Sequence, residues 1–262
     1  MEKYQSNYTD KYIKSDEYGK TYDKVISNKY ESFIWKFEQN LLSEIYKKNF
    51  KAKDRIKYLD FACGTGRVIN FFMKKFRFLK VVGMDTSKHM VDTAKKSINA
   101  EFVVGNLVEN PNLLSEKFDM ITSFRLFLNI ENENRRKILV ELRKKLNDDG
   151  ILIVNNHLNR YSILGSIFRL RNLMGSKLNT GTRDGILNTM SEKEFRKVLE
   201  QSGFKIVEVK RFIFFPGRKN LVVLPIVLLK KVEKFLSKVP VINYFHKDQI
   251  FVCKKNENFI SK

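Results

Sequence analysis

The sequence predicts an α/β protein with a mostly parallel β-sheet. From about residue 57 onward, short apolar runs alternate with stretches of helical periodicity, which is the pattern of βαβ units. The chain has 262 residues, of which 43% are hydrophobic, and this is enough for a sizeable core. Its 22 phenylalanines and 10 tyrosines need burial, whereas 12 glycines and 4 prolines are too few for a low-complexity chain. We therefore expect one folded domain over residues 1–262.

An amphipathic helical cover is predicted over residues 1–56. Apolar residues from Tyr22 to Ile45 recur at steps of three and four, as on one face of a helix. A lysine-rich link around Lys51 to Lys57 follows, and the alternating region begins there.

Seven strands are predicted in the rest of the chain. Helices are expected after a turn at 63–66, after a cap at Ser87, through Lys145, and from a capping box that begins at Ser191. The predicted strands are residues 57–62, 79–84, 100–104, 118–124, 150–155, 204–215 and 250–254.

The charge balance is strongly basic. Fifty lysines and arginines against 29 acidic residues give a net charge of +21, which would attract nucleic acid, anionic lipid or acidic substrates. The lysines are spread along the whole chain, and no arginine-rich tract or RNA-binding aromatic signature accompanies them. A nucleic-acid partner is therefore not favoured.

The cysteines and apolar runs indicate a cytoplasmic protein. Cys63 and Cys253 can form at most one bridge, unlike a disulfide-rich secreted scaffold. The start of the chain has no apolar signal-peptide core. The longest apolar run, Leu221 to Leu229, is about half of the ~20 residues that span a bilayer. No transmembrane helix is expected.

One stretch carries most of the chemical information. Asp60-Phe61-Ala62-Cys63-Gly64-Thr65-Gly66 lies at a predicted strand end, and Asp85 closes the next strand. Glycines at such a turn let the backbone approach a ligand, and the later acid can accept hydrogen bonds from ribose hydroxyls. The nicotinamide fingerprint fails because Ile69 stands where it needs glycine or alanine, and no phosphate-loop motif follows. A nucleoside-containing cofactor without a phosphate cradle is implied.

These residues resemble the class I S-adenosylmethionine-dependent methyltransferases. The match includes DFACGTG, VVGMDTSKHM, VVGNL, FDMITSFRLFLNI and LRKKLNDDGILIV, in the family's order, over roughly Tyr58 to Val154. The resemblance implies a Rossmann-like methyltransferase fold: a mostly parallel seven-stranded sheet with helices on both faces and an antiparallel last strand. The resemblance places the cofactor-binding core at residues 57–156 and implies S-adenosylmethionine as the cofactor. No metal site is expected.

The resemblance also implies a role for each residue of these motifs. Asp85 would hold the ribose hydroxyls and Asp60 would lie near the amino end of the methionine moiety. The residues implied to line the remaining cofactor are Ala62, Cys63, Gly64 and Gly66 at the turn, Thr86, Met90, Asn106 and Leu107 around the adenine, and Ser123 with Phe124 near the methyl group.

Structural alternatives stand beside several of these roles. Asp60 could cap the following turn, Asp85 could cap the following helix, and Cys63 is interpreted as a packing residue rather than a nucleophile. Ala62 replaces a glycine that is common in the family. The replacement is tolerable if the backbone at this position is not left-handed.

Arg125 and His157 are the candidate residues for the acceptor. The resemblance places Arg125 beside the acceptor, whereas a surface ion pair with Glu131 or Glu133 is the alternative. His157 follows the fifth strand near the edge where ligands bind, so it is the candidate base for a hydroxyl acceptor, the alternative being a polar loop residue. His89 is expected to face solvent, and His246 lies in a segment that the sequence does not place.

The sequence lacks motifs that mark particular methyl acceptors, and this narrows the class of acceptor. After the fourth strand the sequence is SFRLFLN, without the Asn/Asp-Pro-Pro-aromatic motif of adenine N6 methylation, and neither cysteine stands in a Pro-Cys pair. Methylation of a small molecule or glycan at oxygen or nitrogen is therefore expected. An RNA methyltransferase and a catalytically silent, cofactor-binding subunit are the alternatives.

Two insertions, 157–188 and 216–247, are expected to form the acceptor pocket. Residues 221–238 combine an apolar run with lysines, as in a helix that lies on an anionic membrane. A core lid or a dimer contact is the more common role of such a segment, and the oligomeric state is left open.

Overall fold

A seven-stranded sheet forms the centre of the protein in the computed structural model, which describes residues 28–51, 53, 55–173, 188–214, 226–236 and 239–259. The strands are β1 (Lys57–Phe61), β2 (Lys80–Asp85), β3 (Glu101–Val104), β4 (Phe118–Ser123), β5 (Leu146–His157), β6 (Phe204–Phe212) and β7 (Asp248–Lys255). Their order is β3-β2-β1-β4-β5-β7-β6. Strand β7 pairs antiparallel with both neighbours and the other pairs are parallel, which confirms the predicted architecture.

Seven α-helices accompany this sheet in the described ranges. They are α1 (Lys29–Phe50), α2 (Arg67–Lys75), α3 (Lys88–Lys95), α4 (Asn132–Lys145), α5 (Ile163–Leu173), α6 (Glu192–Gln201) and α7 (Ile226–Leu236). None of the described helices is long and apolar enough to cross a bilayer.

Helices cover both faces of the sheet. Because side chains alternate along a strand, Tyr58 joins the apolar cluster that contains Ile34 of α1, whereas Leu59 joins the cluster that contains Leu139 of α4. All four residues are fully buried. The two clusters pack on opposite faces of the sheet and hold its strands in place.

Helix α1 is the described part of the predicted N-terminal cover. Asn28 caps it by accepting a hydrogen bond from the Glu31 backbone N–H at 3.0 Å. Its buried face carries Phe33, Ile34 and Leu42, as the periodicity predicts, but also Glu38, which is fully buried. The earlier part of the predicted helix, residues 1–27, lies outside the described residues.

Strand boundaries differ from the predictions where the backbone is irregular. Strand β5 begins at Leu146 because a register shift against β4 lets residues before Gly150 remain paired. Strand β6 ends at Phe212 because Ile213 has a φ of 62°, which cannot continue an extended strand.

The described parts of both predicted insertions start from the same edge of the sheet. Helix α5 follows the carboxyl end of β5, whereas α7 and a 3₁₀ helix over Pro240–Phe245 lie between the carboxyl end of β6 and the start of β7. The division into cofactor-binding core and acceptor-side insertions stays a prediction.

Candidate active site

The predicted site residues meet where the strand order reverses, between β1 and β4. The chain continues from β1 to β2 and β3 on one side, whereas β4 and β5 lie on the other. Open α/β sheets bind ligands outside the carboxyl ends of the strands at such a point. Asp60 near the end of β1 is in register with Thr122 of β4, next to Ser123.

The turn after β1 contains three residues with left-handed backbone. Their φ angles are 57° at Ala62, 55° at Gly64 and 79° at Gly66. The condition under which alanine replaces glycine without strain is therefore not met at Ala62, since a residue with a Cβ costs about 1–2 kcal/mol in this conformation. Hydrogen bonds hold the turn nevertheless: the Cys63 N–H donates to the Met84 carbonyl at 3.0 Å, and the Gly66 N–H to the Cys63 carbonyl at 2.9 Å.

The two glycines of this turn serve different purposes. A Cβ at Gly66 would collide with the Ile98 side chain, so glycine permits close packing there. A Cβ at Gly64 would meet no atom within 4 Å, so the peptide at Gly64 borders open space. An accessible glycine backbone of this kind fits a ligand that approaches closely.

Asp85 joins this turn to the end of β2. Its Oδ2 accepts the Gly64 N–H at 2.8 Å and its Oδ1 accepts the Ser87 N–H at 2.9 Å. Burial raises the pKa of Asp85, although the backbone N–H groups that stabilise the carboxylate act to lower it. The cap of α3 is Ser87, whose Oγ accepts the Met90 N–H, rather than Asp85. Each Asp85 oxygen has a second lone pair that can accept a hydroxyl, so the residue fits a ribose.

Asp60 is a buried carboxyl group behind the turn. Its Oδ1 accepts the Thr122 hydroxyl at 2.5 Å, and the Tyr58 hydroxyl lies 2.7 Å from the same Thr122 oxygen. Among the described residues its Oδ2 has no hydrogen-bond partner. Burial raises the pKa of Asp60 to about 7, with a smaller contribution from Asp85. It therefore does not cap the turn, and its second oxygen can receive a cationic ligand group.

Cys63 is a packing residue by its surroundings. The side chain is buried and its Sγ lies 3.7 Å from the Gly64 carbonyl oxygen. Burial, followed by the charges of Asp85 and Asp60, raises the pKa of the thiol well above its usual range. A neutral buried thiol is a poor nucleophile, which supports the packing interpretation.

The residues predicted around an adenine lie beyond β2 and β3. Thr86 is exposed, whereas Met90 and Leu107 are buried. The Asn106 Oδ1 accepts the Val108 N–H at 3.0 Å, which fixes the amide while leaving the oxygen a second lone pair. The free lone pair of this amide oxygen fits an amino group on a heterocycle.

Arg125, directly after Phe124 at the end of β4, has a strained backbone and a charged environment. Its φ is 59°, and its N–H donates to the Asn155 Oδ1 at 2.7 Å. Its guanidinium lies 2.9 Å from Glu31 and 3.9 Å from Glu38, both on α1. The surface pairs with Glu131 or Glu133 are therefore not formed; α1 supplies the acids instead, because it crosses the carboxyl ends of the strands.

Glu38 connects the two sides of the site. It is fully buried, and its Oε2 lies 3.6 Å from Arg67, which follows the glycine turn, as well as near Arg125. The Arg67 guanidinium also stacks over the Trp35 ring at 4.1 Å from its centroid. One helix of the cover thus touches the arginines that flank both the turn and β4.

His157 forms a pair with Asp248 across β5 and β7. The two residues are in register, and the His157 Nδ1 lies 2.7 Å from the Asp248 Oδ1. Burial would raise the pKa of Asp248, but the Lys247 ammonium at 3.2 Å and the imidazole hold it well below its usual range. The Asp248 carboxylate thus lies beside Nδ1, and Nε2 is the ring nitrogen outside this pair. Ser123, the last residue of β4, is fully buried and is in register with Val154 of β5.

The two other histidines lie in different surroundings. His89 on α3 is half-buried, so the expectation that it faces solvent is wrong. His246 is fully buried, its ring packs against Phe214, and burial lowers its pKa. A neutral, buried ring suits a structural role.

Sequence reasoning missed Glu31, Glu38, Lys247 and Asp248. One signal was present: Glu38 falls on the apolar stripe of α1, where an acid needs a partner. Asp248 could be found only once the order β5-β7 was known, because its partner lies 91 positions earlier in the chain.

Comparisons with known proteins agree with this geometry. A family model described as a methyltransferase domain matches residues 59–150. The chain is 30% identical over 176 residues to a demethylmenaquinone methyltransferase of Thermotoga maritima, covering 58% of this chain and 76% of that protein. It is 28% identical over 219 residues to a ubiquinone/menaquinone biosynthesis C-methyltransferase of Campylobacter jejuni, covering 74% of this chain and 88% of that protein.

Solved structures show the same fold. A magnesium protoporphyrin IX methyltransferase of Synechocystis with bound S-adenosylhomocysteine superposes with a TM-score of 0.63 at 15% identity, covering 95% of this chain and 99% of that chain. The plantazolicin methyltransferase in complex with a substrate analogue and S-adenosylhomocysteine gives 0.62 at 18% identity, covering 95% of each chain. Together with the 30% identical relative and the motifs along β1 to β5, this shows that the chain belongs to the class I S-adenosylmethionine-dependent methyltransferase family.

Proposed function

We propose that this methyltransferase acts on a hydroxyl group of a small molecule and that His157 is its base. The observation that carries the proposal is the pair of His157 with the buried Asp248, at 2.7 Å. A carboxylate behind an imidazole fixes the ring and stabilises the cation formed when the ring accepts a proton. Buried free thiols at Cys63 and Cys253 also agree with a reducing cytoplasm, the compartment that we propose.

The cofactor would be held by residues from β1 to β4. Asp85 would accept the ribose hydroxyls and Asp60 the amino end of the methionine moiety, with the cofactor supplying a methyl group on a positively charged sulfur. The remaining residues that we assign to this site are Ala62, Cys63, Gly64, Gly66, Thr86, Met90, Asn106, Leu107 and Ser123.

The chain's own contribution to the reaction is alignment and one proton transfer. His157 Nε2 would take the proton of the acceptor hydroxyl, with the Asp248 carboxylate 2.7 Å from Nδ1. The electron pair left on the acceptor can then attack the methyl carbon in line. Alignment of this kind supplies most of the acceleration in a displacement reaction once the nucleophile is formed. Arg125, fixed by Asn155 and Glu31, would border the acceptor.

A second candidate is methylation at a ring carbon. The relatives from Thermotoga maritima and Campylobacter jejuni are named for demethylmenaquinone and for C-methylation. Removing a proton from a hydroxyl on an aromatic ring places negative charge on the oxygen and on the neighbouring ring carbon. The same base would therefore serve both outcomes, and a hydroxylated aromatic acceptor satisfies both candidates.

The experiment is methyl transfer from S-adenosylmethionine labelled in its methyl group. The acceptors are a naphthol, a hydroquinone, a simple sugar, an arylamine and total RNA, and NMR assigns the methylated atom. We expect products from the hydroxylated rings, with loss of turnover in His157→Gln. Transfer only to the arylamine or to RNA would contradict the proposal. Cofactor binding without transfer to any acceptor would favour the silent-subunit alternative.

A further inference from the structure

An exposed apolar surface lies beside the acceptor end of the sheet. We call it the apolar rim, and define it as Tyr161, Ile163, Ile167, Leu170, Tyr244 and Phe245. Their relative exposures lie between 40% and 68%, although all are large hydrophobic residues. Soluble proteins rarely expose such residues in a contiguous group unless the group binds something.

Hydrogen bonds join the two segments of the apolar rim. The Asn159 side chain donates to the carbonyls of Tyr244 and His246, at 2.7 and 3.0 Å. The Asn159 N–H also donates to the Lys247 carbonyl at 2.7 Å. The segment that leads into α5 is thus fixed against the 3₁₀ helix, two residues from His157.

Helix α5 presents its part of the apolar rim as one stripe. Ile163, Ile167 and Leu170 are spaced by four and three residues, so they lie on the same helix face. The same helix carries Arg169, which is exposed, and no acidic residue. An amphipathic helix with cations beside an apolar stripe is the pattern of a helix that lies at a membrane surface.

The charge of these segments indicates what covers the apolar rim. Residues 158–173 contain three arginines and residues 226–247 contain five lysines, against one acid, Glu233. Glu233 is buried and accepts the Phe214 N–H at 2.9 Å, so it does not offset the cations at the surface. Arg160 pairs with Glu194 and Lys247 is buried beside Asp248, whereas Arg169 and Lys231 are exposed. A second copy of the chain would bring like charges together, which costs binding energy. An anionic lipid surface complements both the charge and the apolar side chains.

We propose that the apolar rim docks on an anionic bilayer, with the acceptor end of the sheet facing the lipid. The surface would insert its aromatic and aliphatic side chains at the headgroup boundary, while Arg169 and Lys231 contact lipid phosphates. Docking of the apolar rim goes beyond the proposed reaction. It would allow an apolar acceptor to enter the site from the membrane. Docking needs neither cofactor nor turnover, so it can be tested separately from the proposed function.

The experiment measures binding of the full chain to vesicles by co-sedimentation. We expect at least tenfold tighter binding to phosphatidylcholine vesicles with about 30% phosphatidylglycerol than to phosphatidylcholine alone, and weaker binding at about 0.5 M salt. Ile167→Ser/Leu170→Ser should weaken the binding at least tenfold. Its matched control, Leu79→Ser/Val207→Ser, removes two equally exposed side chains elsewhere and should bind like the wild type.

Charge is tested by a second pair of variants. Arg169→Glu/Lys231→Glu should weaken binding at least tenfold, whereas Lys74→Glu/Lys96→Glu, with the same charge change elsewhere on the surface, should weaken it far less. Equal losses in both pairs would attribute binding to net charge alone and overturn the proposal, as would wild-type binding by the Ile167→Ser/Leu170→Ser variant. A dimer in sedimentation velocity that this same variant dissociates would overturn it too, since the occupant would then be a second copy.

Discussion

The cofactor side and the acceptor side of the site are built in different ways. The cofactor side uses backbone groups and short-range contacts of residues 60–107, such as the Gly64 N–H bound by Asp85 at 2.8 Å. The acceptor side is a charged cluster, Glu31, Glu38, Arg125, His157 and Asp248, gathered from α1, β4, β5 and β7. A local motif thus supplies the proposed cofactor site, whereas the tertiary fold supplies the groups that we propose to face the acceptor.

Because of this difference, substitutions on the two sides should affect different properties of the protein. A change at His157 or Asp248 should alter turnover or stability and leave cofactor affinity intact, since these two residues lie on β5 and β7 and not in the glycine turn. Changes in the turn should act on cofactor affinity first.

The largest effect is expected from His157→Gln. Removing the base should lower kcat roughly 100- to 10,000-fold, because a positioned base contributes an acceleration of that order. The affinity for S-adenosylmethionine should stay within about twofold of the wild type, since this change removes one interaction outside the cofactor side. Kinetics with the best acceptor of the panel measure kcat, with His89→Gln on α3 as the control. An unchanged kcat would remove His157 from the mechanism.

Asp60→Asn should raise stability in a pH-dependent manner. Burial raises the pKa of Asp60 to about 7, so its ionisation in the folded protein costs stability as the pH rises from about 4 towards 7. The neutral amide avoids this cost and can still accept the Thr122 hydroxyl. The variant should gain up to about 4 kcal/mol of unfolding free energy relative to wild type at about pH 8, and much less at about pH 4.5.

Urea unfolding without cofactor measures this difference at both pH values. The exposed Asp92→Asn, next to Lys88, is the control and should show no gain at high pH. An Asp60→Asn variant equally destabilised at both pH values would show that the carboxylate itself is needed for folding.

Arg125→Met should weaken the attachment of α1. It removes the arginine partner of Glu31 and leaves the fully buried Glu38 with Arg67 alone, and breaking a buried ion pair costs up to about 3–5 kcal/mol. Thermal unfolding should show the loss, whereas Arg136→Met on the exposed face of α4 should change it little. Equal small losses in both variants would mean that the cluster does not hold the helix in place.

The smallest effect is expected at the glycine turn, from Ala62→Gly. Relief of the left-handed strain at φ 57° is offset by the greater entropy of glycine in the unfolded chain, so the net change should stay within about 1 kcal/mol. Ala94→Gly on α3, where the backbone is helical, should instead lose about 1 kcal/mol or more. Denaturant unfolding compares the two, and equal losses would argue against strain at Ala62.

Local patterns were enough to predict the sheet and the cofactor motif. The alternation of apolar runs located all seven strands, and the turn after β1 followed from its glycines. The left-handed Ala62 was not predictable, because the turn that holds it depends on a hydrogen bond from the Cys63 N–H to the Met84 carbonyl on the neighbouring strand.

Ion pairs between residues that are distant in the chain could not be predicted from the sequence. Arg125 has acids nearby in sequence at Glu131 and Glu133, yet its partners are on α1, since that helix lies over the strand ends. His157 was selected by its position after a strand, but its partner Asp248 depends on the antiparallel insertion of β7 beside β5. Such contacts are set by the topology and have no local signal.

Isothermal titration of S-adenosylmethionine into three proteins tests the separation of the two sides most directly. Asp85→Ala should lose at least about 100-fold in affinity, because hydrogen bonds to a carboxylate contribute about 1.5–3 kcal/mol each. Asp248→Asn should bind the cofactor like the wild type, while its kcat falls at least tenfold. Loss of cofactor binding in both variants, or in neither, would contradict the division of this site into a local cofactor side and a charged acceptor side.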